Sequence, residues 1–223
     1  MNVKMNCITH PLIPREIADN ESKFGQIMNP EEYMIYCGRV SSPDNRLNHA
    51  TAPGLLKYLI DHQHWSPFEM ISIGIEIETS RAIAQQMLRH RSFSFQEFSQ
   101  RYAKVDSMEP IELRNKAEKN RQSSSEPVTD DMLNDKANAA VKLCQDVYED
   151  LVDNGVSTET ARFILPLTTQ TTVIMHGTLR SWIHFFAQRC DDHAQKEIRE
   201  IAFAARELIS KQCPWTASAL GWV

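Results

Sequence analysis

From Met70 to Thr79 the chain alternates without a break, with Ile71, Ile73, Ile75 and Ile77 pointing one way and Ser72, Gly74, Glu76 and Glu78 the other. A period of two predicts a strand with one face against a core. Upstream, the run that follows Pro30 predicts a short helix. Residues 51–62 predict a second, with Leu55, Leu56, Leu59 and Ile60 as its apolar stripe, and a polar loop over 41–48 lies between the two. Thr79 or Ser80 is placed to cap a further helix to about Arg91, with Ile83, Met87 and Leu88 on its apolar side. Residues 93–105 alternate again, setting Glu97, Ser99 and Arg101 against Phe98, Gln100 and Tyr102, and predict a second strand.

The remainder reads as mostly helical, over about 131–152, 157–164, 178–189 and 191–211, broken by Gly155, Pro166 and Pro214. Residues 107–130, rich in Glu, Lys, Asn, Ser and Pro, predict an exposed insertion and not a linker between domains. No internal repeat is visible. At 223 residues the whole chain, 1–223, is expected to form one α/β or α+β domain.

Composition changes this picture mainly by exclusion. The formal net charge of -5 removes the whole-molecule attraction to phosphate backbones that nucleic-acid binders show, so any anion site must be local. Five cysteines, with no CxxC pair and no metal-ligand spacing, predict reduced thiols in a cytoplasmic protein. His62, His64 and His193 lack the spacing of a zinc motif, so no metal site is expected. Neither a signal-like N-terminus nor an apolar run long enough to span a bilayer occurs, and no membrane partner is expected. There is no GxGxxG and no P-loop.

The most unusual stretch is Arg89-His90-Arg91-Ser92-Phe93-Ser94-Phe95-Gln96-Glu97-Phe98-Ser99-Gln100-Arg101-Tyr102. Three arginines and a histidine beside hydroxyls and aromatics, in an acidic chain, call for an anionic partner. The planar guanidinium fork suits phosphates and the carbonyl edges of flat rings, so a phosphorylated, ring-bearing ligand fits best.

The spacing of this stretch, RHR, seven residues, Ser, one residue, Arg, resembles the signature of the flavin-dependent thymidylate synthases at every fixed position. Further segments resemble that family in order: Arg39-Val40-Ser41, His64-Trp65-Ser66-Pro67-Phe68-Glu69, Arg162, Leu165-Pro166, Arg180, Arg189 and His193-Ala194-Gln195. The resemblance implies an α+β fold with a central, mostly antiparallel sheet flanked by helices. It implies FAD as cofactor, NADPH and 5,10-methylenetetrahydrofolate as cosubstrates, dUMP as substrate, and a homotetramer with sites built from several subunits. The other thymidylate synthase class uses a cysteine in a Pro-Cys-His context. No Pro-Cys occurs here, and Cys213-Pro214 has the reverse order.

Residue by residue, the resemblance assigns Gln86, Ser99 and Arg162 to the dUMP phosphate, Glu97 to the ribose, and Arg101 and Arg189 to the uracil, with Arg89 and Gln100 also in the nucleotide site. It assigns Ser41, His64, Ser66, Glu69, Arg89, His90, Arg91, Thr178, Arg180 and His184 to FAD. Arg189, Arg101 and His64 are the expected catalytic group. Ser99 has no neighbouring base to activate it and is expected to bind, not to attack. Thr178 and His184 stand where the family commonly has Asn, and Met70 where His is common. Arg180 and His184 are one helical turn apart and can meet one ligand, whereas Arg189 falls on the opposite side of the same helix. Two rival readings remain at this stage: a flavin or nucleotide binder without synthase activity, and a nucleic-acid module with Arg89, Arg91 and Arg101 on phosphates and Phe93, Phe95 and Tyr102 stacking on bases.

Overall fold

The computed structural model describes residues 1–13 and 27–223. Along the chain run β1 (Asn2–Ile8), α1 (Pro30–Gly38), α2 (Ala52–Asp61), β2 (Ser72–Ser80), α3 (Arg81–Met87), β3 (Ser94–Glu97), β4 (Arg114–Lys116), β5 (Ser124–Pro127), α4 (Asp131–Asp153), α5 (Thr158–Ala161), β6 (Gln170–Thr178), α6 (Leu179–Arg189), α7 (Lys196–Gln212) and α8 (Pro214–Ala219). A four-stranded sheet has the order β1-β2-β6-β3, and every neighbouring pair in it is antiparallel. The fold is therefore the expected α+β arrangement around a central antiparallel sheet.

The isoleucine alternation of β2 becomes one wall of the core. Ile73, Ile75 and Ile77 are fully buried, as are Val173 and Met175 on β6, which pairs with β2 from Ser72↔Thr178 to Ser80↔Gln170. Helices α1, α2, α6 and α7 contribute Met34, Leu56, Trp182 and Ile201 to the same core. A capping box starts α1: Asn29 accepts from Glu32 N and Glu32 accepts from Asn29 N, both at 2.9 Å. Glu31, buried beneath it, accepts from Trp215 N at 3.0 Å and from Thr216 N and Oγ1 at 2.7 Å, tying α1 to the start of α8. Burial holds the Glu31 carboxyl above its usual range.

Several predicted boundaries move. The strand expected over 93–105 ends at Glu97. Phe98 N makes one more bond to Thr172 O, then Tyr102 N and Ala103 N both fold back onto Ser99 O. Ser99 and Arg101 therefore sit in a turn, not on a sheet face. The helix expected to about Arg91 stops at Met87, so Arg89-His90-Arg91 lies in a run of turns in which His90 N donates to Met87 O and Phe93 N to His90 O. Packing decides this. Phe93 is buried against Trp182 at 4.9 Å between ring centres and seated on Gly177, where a Cβ would come within 2.5 Å of its ring. The last long helix begins at Lys196, not at Asp191, and its N-cap is Gln195. Asp191 caps a preceding turn by accepting from His193 N at 2.8 Å, and Asp192 pairs with Arg199.

Strands β1 and β6 lie in segments the periodicity reading left unassigned or counted among the helical remainder. β6 alternates, with Thr171, Val173, Met175 and Gly177 inward, and Thr and Val there are β-branched, whereas the alternation of β1 breaks at a register shift between Met5 and Cys7. Residues 107–130 carry the β4–β5 hairpin and are joined to the rest by a Met108↔Thr169 bridge. No helix among the described residues is long and apolar enough to cross a membrane.

Candidate functional site

The RHR turn is built around His90. Its ring packs on Phe185 at 4.9 Å, and its Nε2 accepts from Arg189 Nε at 3.0 Å. A guanidinium can only donate, so Nε2 is the unprotonated nitrogen and the proton of the neutral ring is on Nδ1. Burial, and then the Arg189 charge, push the His90 pKa down to about 4, which keeps the ring neutral at pH 7. Burial and the nearby Arg89 charge likewise lower the pKa of Arg189. Arg89 and Arg91 are exposed at this turn. One guanidinium, Arg189, rests on the neutral imidazole, with exposed Arg89 and Arg91 on either side of His90 in the chain.

A second group forms where the 3₁₀ turn Ser66–Glu69 meets the N-terminal half of α6. Glu69 pairs with Arg180, and Trp65 lies 5.4 Å from the His184 ring. His64, exposed, sits 6.1 Å from the rings of Tyr58 and His62, just after Gln63, whose φ of 58° turns the chain sharply. Thr178 is the α6 N-cap and accepts from Ser181 N at 3.3 Å, so its hydroxyl is already used by the helix. Ser41 is exposed on a loop that the buried Arg39 organises by donating to Asn45 O, Asn48 O and Thr51 Oγ1.

The residues expected on the nucleotide fall into smaller groups. Arg101 donates from Nε and Nη2 to one oxygen of Glu159, Oε2, at 3.0 and 2.6 Å, and Arg162 Nε donates to Glu159 O at 3.3 Å, so one short helix gathers both arginines. Glu97 accepts from Arg81 at 3.3 Å and Thr171 Oγ1 at 3.1 Å. Gln86 Nε2 donates to Gln195 Oε1 at 2.7 Å. Gln100 is 4% exposed, so its side chain is packed inside next to Ser99 and Arg101.

One protomer thus unites Arg89, His90 and Arg189, unites Glu69, Arg180 and His184, and unites Arg101 with Arg162, but it does not merge these groups. Arg180 and Arg189 are nine residues apart on α6, about 14 Å along its axis, and engage partners at opposite ends. A cavity of about 300 Å³ is lined by Ser80, Ile83, Glu112, Arg114, Gln195 and Glu197 among others; none of the expected site residues lines it, although Gln195 in its wall bonds Gln86. Sequence reasoning missed Glu159, Trp65 and Gln195 as partners. Only Gln195, within His193-Ala194-Gln195, and Trp65, within His64–Glu69, lay in a recognisable motif.

The sequence model described as "Thymidylate synthase complementing protein" matches residues 24–215. The flavin-dependent thymidylate synthase of Synechocystis sp. is 46% identical over 225 residues. The probable flavin-dependent thymidylate synthase of Paramecium bursaria Chlorella virus 1 is 42% identical over 227. Each alignment covers all of both chains. This chain belongs to the flavin-dependent thymidylate synthases.

Among solved structures, the UMP/dUMP methylase PolB from Streptomyces cacaoi, bound with 5-Br dUMP, superposes with a TM-score of 0.81 over 99% of this chain and 94% of that one. At 22% identity that likeness speaks for the fold. The short strand β3 (Ser94–Glu97) joins the RHR turn to the turn at Ser99, so the motif runs through turn, strand and turn.

Proposed function

We propose that this flavin-dependent thymidylate synthase converts dUMP, 5,10-methylenetetrahydrofolate, NADPH and a proton into dTMP, tetrahydrofolate and NADP⁺, with FAD bound. The single observation that carries the reading is the RHR turn, with its neutral His90 held on Arg189 and flanked by exposed Arg89 and Arg91. The donor set fits FAD: exposed guanidiniums suit a pyrophosphate, and the Trp65–His184 surface with Arg180 suits a flat, hydrogen-bonding ring system. When bound, the flavin supplies the hydride that reduces the transferred one-carbon unit.

In this reading Gln86, Ser99 and Arg162 hold the dUMP phosphate, Glu97 the ribose, and Arg101 and Arg189 polarise the uracil, stabilising negative charge as it develops. Ser41, His64, Ser66, Glu69, Arg89, His90, Arg91, Arg180 and His184 hold FAD, with Thr178 contributing through the helix start it caps. Arg189 sits against a ring that takes no proton until about pH 4, so it keeps a geometry independent of pH near neutrality. Burial pushes the Cys213 and Cys190 thiols up, away from thiolate, so neither of these two is prepared to attack.

The assembly proposed is a cytoplasmic homotetramer of single catalytic domains, taking small molecules and no nucleic acid. Separate half-sites on one protomer support it. So do Tyr102 and Phe163, 92% and 78% exposed beside Arg101 and Arg162, which a second copy can cover. An anaerobic assay of dTMP formation, with FAD and the folate omitted in turn, tests the function. Product is expected only when both are present, and yellow protein that yields no dTMP with all components overturns the reading. Colourless protein that binds oligonucleotide with a steep salt dependence would favour the nucleic-acid alternative.

A further inference from the structure

Gln86 does not stand alone. It donates from Nε2 to Gln195 Oε1 at 2.7 Å, Gln195 Nε2 donates to Glu197 Oε2 at 2.9 Å, and Arg114 Nη2 donates to Glu197 Oε1 at 2.6 Å. Arg114 starts the β4–β5 hairpin, within residues 107–130, and its side chain is only 11% exposed. It is held on three sides, by Ser124 Oγ at 2.9 Å, Glu112 at 3.2 Å and Glu197. Lys196 fixes Glu112 from the start of α7.

The chemistry of these groups sets the direction of the whole chain. A guanidinium only donates and a carboxylate only accepts, so Glu197 demands the NH₂ end of Gln195. That leaves Gln195 Oε1 facing Gln86, which must then present its own NH₂ group. One N–H of Gln86 is engaged and the second is available for an anionic oxygen. Burial works against both charges, yet the Glu197 pKa is lowered by its own backbone N–H together with Arg114 and Gln195, and the Arg114 pKa is raised by Glu197 and Glu112. Free of Glu197, the amide of Gln195 could turn over at little cost, and Gln86 would turn with it.

We infer that Arg114 is a positioning residue for the nucleotide-phosphate site, acting through Glu197 and Gln195 to hold Gln86 with its amide hydrogens toward the phosphate. This rests on the reading of Gln86 as a dUMP contact. The insertion is then part of the substrate site's support, although it touches no substrate.

The test measures the dUMP dissociation constant by equilibrium dialysis, and kcat, on FAD-loaded protein. The variants are Arg114→Gln, Arg114→Lys, Glu197→Gln, Gln86→Ala and the double Arg114→Gln/Gln86→Ala. Arg114→Gln is expected to weaken dUMP binding about fivefold with kcat changed less than about twofold. Arg114→Lys, which can still donate to Glu197, should restore most of that loss. In the Gln86→Ala background Arg114→Gln should add nothing further. Glu197→Gln, which keeps the side-chain shape, should match Arg114→Gln and carries the test if the latter fails to fold. Full additivity in the double variant, or unchanged dUMP binding in both relay variants while Gln86→Ala weakens it, overturns the relay and leaves the nucleotide reading standing. Unchanged binding in Gln86→Ala removes that reading and the relay with it.

Discussion

Lowering the pH should unseat His90 from Arg189, and the size of the effect follows from the site. The folded-state pKa is about 4 against an ordinary 6.5, a gap worth at most about 3 kcal/mol. Because His90 is only partly buried, solvent screening reduces the usable figure to about 1–2 kcal/mol. Above pH 6.5 the ring is neutral in both folded and unfolded chains and contributes no pH dependence. Between about 6.5 and 4 the unfolded chain takes the proton and the folded one does not, so stability falls as the pH drops. Below 4 the loss is complete. His90→Gln keeps an acceptor for Arg189 and has nothing to titrate. Urea unfolding at pH 7.5 and 4.5, at one protomer concentration, should show wild type losing about 1–2 kcal/mol more than the variant, a midpoint difference near 0.5–1 M. Equal acid losses refute the reasoning. An NMR titration of the His90 ring supplies the second check. Its midpoint should stay below 6.5 even in Arg189→Met, because burial is the larger cause, and a return to 6.5 would assign the shift to Arg189 instead.

Three further outcomes are expected. Gly177→Ala would put a Cβ 2.5 Å from the Phe93 ring, which Trp182 and Phe185 hold in place, so thermal unfolding should reveal a loss of about 1–3 kcal/mol; an unchanged Tm would mean the ring is not confined there. Glu31→Ala strips the acceptor from three donors at Trp215 and Thr216 and should cost about 2–3 kcal/mol, with faster hydrogen exchange at the start of α8. Protected amides there would count against the anchor. Glu159→Gln removes the carboxylate that occupies the exposed Arg101 and should tighten dUMP binding by up to about fivefold with little change in stability. Weaker binding would show that Glu159 aims Arg101 for the nucleotide and does not compete with it.

Much of this was legible before any fold was known, and the reasons are local. The β2 isoleucines and the α6 group of Trp182, Phe185 and Phe186 carry their periods in the chain itself, and Pro30 marks the start of α1. The RHR spacing carried a family resemblance that the family model and the full-length relatives bear out. The misread boundaries share one cause. Nothing in residues 93–105 says that Phe93 will lock onto Gly177, so alternation ran on past Glu97 where the real chain turns. The partners of the site residues were equally hidden. Glu159 reaches Arg101 from 58 positions away, Gln195 reaches Gln86 from 109, and Arg114 reaches Glu197 from 83. Side-chain type along a chain determines which groups can bind charge, whereas folding alone determines which of them meet. That is why the arginine cluster carries an expected kind of ligand in the sequence itself, while the neutrality of His90, the hold on Arg101 and the hydrogen-bonded chain from the β4–β5 hairpin to Gln86 were decided by tertiary packing.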